Sequence, residues 1–141
     1  MESYDPEQPI DPEGWNALDE AERQVLVERH HRKIHIKVPN LRAHAAIHVA
    51  VENQVALGDE IPTQKTLRRL MSEGLSRHDA VHSIGSVLAE HLWNLFKDDA
   101  KDEDPNAEYF RQLEELTAES WRKNYGEESE EDDQEQRPAG E

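Results

Sequence analysis

The sequence predicts an all-α fold: a compact helical bundle of four to five helices with disordered acidic N- and C-terminal ends. Three observations carry this. Apolar residues recur at three- and four-residue intervals through residues 15–97. Cap residues stand where those patterns begin, and glycines stand where they end. One short alternating segment occurs, without a second to pair with it. The 141 residues suffice for one core. With 35% apolar and 34% charged residues, that core must come from Trp15 to Leu95 and a smaller group from Tyr109 to Trp121.

Residues 1–14 hold Pro6, Pro9, Pro12 and Gly14 among acids and read as an extended acidic arm. Asp19 followed by Glu22 has the spacing of a capping box, and Val25, Leu26 and Arg29 continue a first helix over about 17–33. Ile34 to Val38 alternates as a strand would, but Pro39 ends it, so it is read as a connector. Asn40 caps a second helix, about 41–57, which Gly58 stops. Pro62 opens a third, with Leu67, Leu70 and Met71 as its apolar stripe and Gly74 at its close. Ser76 with Asp79 begins a fourth, about 77–97. These helices make a histidine-rich core domain over 15–97. Residues 98–104 form an acidic linker. Asp104 and Pro105 are a good cap and first-turn pair for a last helix over 105–124, within a unit that Gly126 ends. Residues 127–141 are read as a disordered acidic tail.

The net charge of −16 sits in the ends and the linker. The span 21–97 carries a small positive excess, eleven Lys/Arg against eight Asp/Glu. Like-charge blocks such as Glu127 to Asp133 repel themselves and stay solvated. With no concentrated basic stripe, nucleic acid is not expected as a partner, because phosphate binding needs Lys and Arg to displace counterions. The short run Arg29, Arg32, Lys33, Lys37, Arg42 suits helix ends, where cations complement the dipole. No apolar run is long enough to span a bilayer, and the acidic start lacks an apolar signal segment. A cytoplasmic location without membrane contact is expected. No cysteine is present, so a metal would have to use His, carboxylate and water.

The chemistry concentrates in two His-x-x-x-His pairs. His44 and His48 on the second helix share a face about 6 Å apart along the axis, and Glu52 lies one more step of four along. The residues between are Ala, Ile and Val, the composition of a buried helix. The fourth helix repeats the spacing in His78 and His82. Gly85 and Ala89 continue that stripe and would let another helix come close. Beside it run Val81, Ile84, Leu88, Leu92 and Leu95 as the core face, with Asp79, Ser83, Ser86, Glu90 and Asn94 opposite. If the third helix returns the chain, the second and fourth run parallel, with His44 level with His78 and His48 level with His82. Helix axes about 8–10 Å apart then suit a shared ion. His44, His48, His78 and His82 are therefore the expected ligands of a divalent transition metal (Zn, Fe, Mn or Ni). Glu52 is a further ligand or the outer partner of a ligating imidazole. Were the site catalytic, its open position would hold water, with Glu52 moving the proton. The sequence identifies no substrate.

Buried histidines can also be neutral and structural, which gives the alternative: a metal-free interaction module with a protein partner or a homo-oligomer. Among the other histidines, His30 and His31 end the first helix as dipole partners, and one of them could reach the site if that helix packs beside it. His35 falls in the connector, and His91 is expected on the surface. His78-Asp79 spells the doublet of HD-type phosphohydrolases, but Asp79 falls on the polar face. His-Glu-x-x-His is absent.

The stretch His44 to Gln54, the turn Gly58-Asp59-Glu60 and the segment Gly74 to His82 resemble a family of small bacterial proteins known as a domain of unknown function. Trp15, Leu18, Asp19, Glu20, His31 and Arg32 fit the same pattern, so the resemblance covers about residues 15–96. It implies a bacterial helical protein and lends no activity.

Overall fold

Helices account for every regular element among the described residues of the computed structural model, which are 1–34, 40–97 and 104–126. The connector with His35, most of the acidic linker and the tail from 127 onward lie outside them. In chain order the helices are α1 Pro12–Asn16, α2 Glu20–Lys33, α3 Leu41–Ala56, α4 Thr63–Ser72, α5 Arg77–Lys97, α6 Pro105–Glu115 and α7 Ala118–Trp121. Five of these have ten residues or more, as the sequence predicts.

The caps act as expected at three starts. Asp19 accepts from the Glu22 backbone N–H while Glu22 reaches back to Asp19, a complete capping box for α2. Asn40 accepts from Ala43 N–H at the head of α3, and Asp104 caps α6 ahead of Pro105. Gly58 and Gly74 take the positive φ angles of 65° and 107° that follow a helix.

Helix α3 stands in the middle. Ala45 and Val49 face α2 and the N-terminal segment, in a core with Tyr4, Trp15, Leu26 and Val27. Val51 and Val55 face the other way, into a second core with Leu67, Leu70, Ile84, Leu88, Leu113 and Trp121. Leu70, Ile84 and Leu113 are fully buried, and burial of each such side chain contributes about 1.5–3 kcal/mol.

Three expectations are corrected here. Helices α3 and α5 run antiparallel, not parallel. Glu52, late in α3, meets Arg77 at the start of α5, whereas Ile47, earlier in α3, lies against Gly85 further along α5. The turn at Gly74 starts α5 beside the end of α3 and sends the chain back along it. Second, the N-terminal residues are neither disordered nor wholly extended. Tyr4 is 4% exposed, Pro6 is buried, and α1 begins at Pro12 under an Asp11 cap. The Tyr4 ring packs 5.9 Å from that of Trp15, an apolar contact that outweighs the charge around it. Third, the last helix breaks after Glu115. Leu116 and Thr117 are extended, and Thr117 with Ser120 forms a new capping box for α7. The Thr117 hydroxyl competes with the helix for backbone donors, and Glu73 accepts from Ala118 N–H.

The faces of α5 also differ from the periodic reading. Ser83 and His91 are buried, while Leu92 is 40% exposed. Helix α6 covers His91: Tyr109, 3% exposed, stacks on it with ring centroids 5.6 Å apart. Ser83 meets the burial by donating to Ala80 O at 2.9 Å.

Candidate metal centre

Helix α2 ends with His30 and His31, α3 carries His44 and His48, and α5 carries His78 and His82. At the contact between α3 and α5, a Cβ on Gly85 would stand 2.9 Å from Ile47 Cγ2. Glycine is thus what lets the two helices close, as its place on the histidine stripe suggested, whereas Ala89 is exposed and takes no part.

The result is a cluster of imidazoles. His82 Nε2 lies 2.9 Å from His48 Nε2 and 3.1 Å from His78 Nε2. On the other side of His48, the His31 and His44 rings are 4.7 Å apart, centroid to centroid, and 5.1 and 4.9 Å from that of His48. His44 also approaches His82 at 5.1 Å. Two overlapping triads follow, His48/His78/His82 and His31/His44/His48, and within each the ligand atoms lie within 4.8 Å of one another. His30 flanks the group, 6.4 Å from His78. His48 thus faces His82 as expected. The level pairing of His44 with His78 is replaced by contacts of His44 with His82 and of His48 with His78, which follows from the antiparallel run.

Behind His48 stands a buried polar wall. Arg77 donates to both oxygens of Glu52, at 2.8 and 2.9 Å, and to Pro6 O at 3.0 Å. Tyr4 donates its hydroxyl proton to Glu52 Oε2 at 2.6 Å. Its oxygen is then free to accept from His48 Nδ1 at 3.3 Å, which leaves the Nε2 lone pair of His48 aimed at His82. Glu52 is accordingly placed one layer out, engaged by Arg77 and Tyr4, and belongs to neither triad. The N-terminal segment is tied down once more where Glu7 accepts from His78 N–H at 2.6 Å.

Burial keeps these rings neutral. It pushes His44 down to about 4, helped by the charge that His31 and His78 would carry. Burial, followed by the neighbouring imidazoles, holds His48 and His82 well below the ordinary histidine value. Burial lowers His31 and His30 as well. The Tyr4 hydroxyl is raised, by burial first and the Glu52 charge second, so it keeps its proton. A neutral imidazole has one ring nitrogen with a lone pair, the protonation state a metal ligand needs.

The sequence matches the family described as Domain of unknown function (DUF1841) over residues 11–115. The chain belongs to this family. The matched span takes in the five histidines of the triads, Glu52 and Arg77, and begins after Tyr4. Neither a curated protein nor a solved structure matches the chain. No helix among the described residues is long and apolar enough to cross a membrane.

Sequence reasoning brought together His44, His48, His78 and His82 and left His31 as an outside possibility. It missed Tyr4 and Arg77. Arg77 carried a faint signal, since a cation directly before His78 lies one turn from any acid that the facing helix presents. Tyr4 carried none.

Proposed function

We propose that the chain binds a divalent transition-metal ion at the convergence of His48, His78 and His82, with His44 and His31 alongside. The observation that carries this is the crowding of three Nε2 atoms at 2.9 and 3.1 Å. Metal–nitrogen bonds of about 2.0–2.1 Å hold tetrahedral ligand atoms roughly 3.3 Å apart, so a few tenths of an ångström of spreading would admit an ion. His82 Nε2 carries either a proton or a lone pair, so it cannot pair fully with both His48 Nε2 and His78 Nε2, whereas a cation can draw all three nitrogens to itself. Glu52 serves in the outer layer: through Tyr4 it orients His48, the usual role of a carboxylate behind a ligating imidazole. Imidazole suits Zn, Fe or Ni, and Mn would be taken only with oxygen from solution in the open positions. Three protein ligands leave open positions for water or a substrate oxygen.

The test is elemental analysis of protein purified without an affinity tag, beside its His48→Gln variant. Near-stoichiometric metal in the wild type and its loss in the variant are expected. No bound metal after supplementation with each of the four ions would overturn the proposal.

A second reading, a metal-free interaction module, is favoured by the end of α5, where Trp93 is 64% and Phe96 87% exposed. The two readings part on the double variant His44→Ala, His78→Ala. A metal protein loses its ion and much of its thermal stability; an adaptor loses little beyond packing.

A further inference from the structure

The five imidazoles are more than one ion can use. Around a single ion with bonds of about 2.0–2.1 Å, no two ligand nitrogens stand more than roughly 4.2 Å apart. Here the rings fall into two sets of three that share only His48. The Nε2 atoms of His48, His78 and His82 already meet at one point. Those of His31 and His44 do not join them: both are buried and have no hydrogen-bond partner. His31 is 1% exposed, and its Nδ1 is tied to Val27 O at 2.9 Å, so its lone pair is on Nε2. A single buried polar atom without a protein partner can be met by a water as well as by an ion, but here two such atoms sit on imidazole rings 4.7 Å apart and within metal-ligand reach of each other.

We infer that the cluster is a two-ion centre, with a second transition-metal ion held between His31 and His44 beside the one at His48, His78 and His82. This rests on the metal reading above. His48 has one nitrogen to give while Tyr4 holds the other, so it serves the first ion and walls the second. The second ion then has two imidazoles and completes its shell from solution. Two divalent ions at the roughly 3.5–4 Å typical of paired sites repel, and neutral imidazoles bring no negative charge to offset this. Glu52 cannot, because Arg77 holds it, and Glu7 is engaged by His78 N–H. The bridge between the ions is therefore an anion from solution: hydroxide, formed as a shared water releases one proton to solvent, or a small oxyanion. The second ion binds more weakly than the first for the same reasons.

The experiment is a titration of the metal-stripped full chain with Cu(II), the tightest-binding divalent probe for nitrogen ligands, followed by electron paramagnetic resonance. The first equivalent should give the signal of an isolated ion. The second should convert it to the broadened, attenuated signal of a coupled pair. His44→Gln and, independently, His31→Gln should keep the first signal and lose the coupled one. Saturation at one equivalent, a second equivalent whose signal is uncoupled, or coupling that survives both variants would overturn the inference. Failure of the wild type to bind Cu(II) at all would instead overturn the metal reading beneath it.

Discussion

Replacing Glu52 by Gln keeps the shape of the polar wall behind His48 and removes its charge. Arg77 is 4% and Glu52 0% exposed at the side chain, so the guanidinium would be left buried opposite a neutral amide, with Pro6 O and the amide oxygen as acceptors and no counter-charge. Removing one partner of a buried ion pair costs about 3–5 kcal/mol, because the other charge stays desolvated. The Gln amide oxygen can keep one of the two Arg77 bonds, which sets the expectation near the lower end, about 3 kcal/mol. For a chain of this size that is a fall in Tm of roughly 10 °C. Urea unfolding followed by circular dichroism measures it directly. Two companions isolate the cause. Tyr4→Phe, which keeps the Trp15 contact and loses the hydroxyl, should cost only about 1–2 kcal/mol. Glu52→Gln combined with Arg77→Met should recover part of the loss, since the orphaned cation leaves with its partner. A Glu52→Gln protein within 0.5 kcal/mol of wild type, or a double variant worse than the sum of the singles, would refute the reasoning.

Two further outcomes follow from the burial of His44 and the close approach at Gly85. His44 is lowered from 6.5 to about 4, so as pH falls through 6.5 the unfolded chain takes up its proton first. The metal-free protein therefore has the His44 contribution in full above pH 6.5 and loses it progressively toward pH 4. The shift corresponds to at most about 3 kcal/mol, and discounting for the ring's partial exposure leaves about 1–2 kcal/mol. Stability measured at pH 7 and 4.5 should fall less in His44→Gln than in wild type, and equal falls would count against this account. At Gly85, an added Cβ meets Ile47 Cγ2 at 2.9 Å, a stiff β-branched methyl. Overpacking costs about 1–3 kcal/mol while helix propensity returns up to about 1 kcal/mol. Gly85→Ala should thus be destabilised by about 1 kcal/mol in chemical denaturation and rescued by Ile47→Ala, and a stabilised Gly85→Ala would show that α3 and α5 are not pressed together there.

Local signals in this chain were legible where a few adjacent residues decide the outcome. The Asp19–Glu22 box, the Asn40 cap and the glycines at 58 and 74 each act through their own neighbours, and the structure bears them out. The meeting of the two His-x-x-x-His pairs was legible because four-residue spacing determines a helix face. Spacing does not determine which way the facing helix runs, however. That depends on how the turn at Gly74 aims α5, and the parallel register was wrong for that reason. His91 was misplaced because a periodic pattern reveals one buried face, and Tyr109 of α6 covers another. Tyr4 lay in a segment whose prolines and acids describe its backbone and solvation well; a single ring reaching the core from such a segment leaves no periodic trace.

The grip of Arg77 on Glu52 has a consequence for ion choice. Magnesium and calcium are the abundant competitors of any divalent site, and both require oxygen donors, several of them anionic in the calcium case. With the buried carboxylate behind His48 occupied by a guanidinium, the cluster presents nitrogen where those hard cations need oxygen. Discrimination against them would then rest on a permanent internal counter-ion, which withholds the carboxylate buried behind His48.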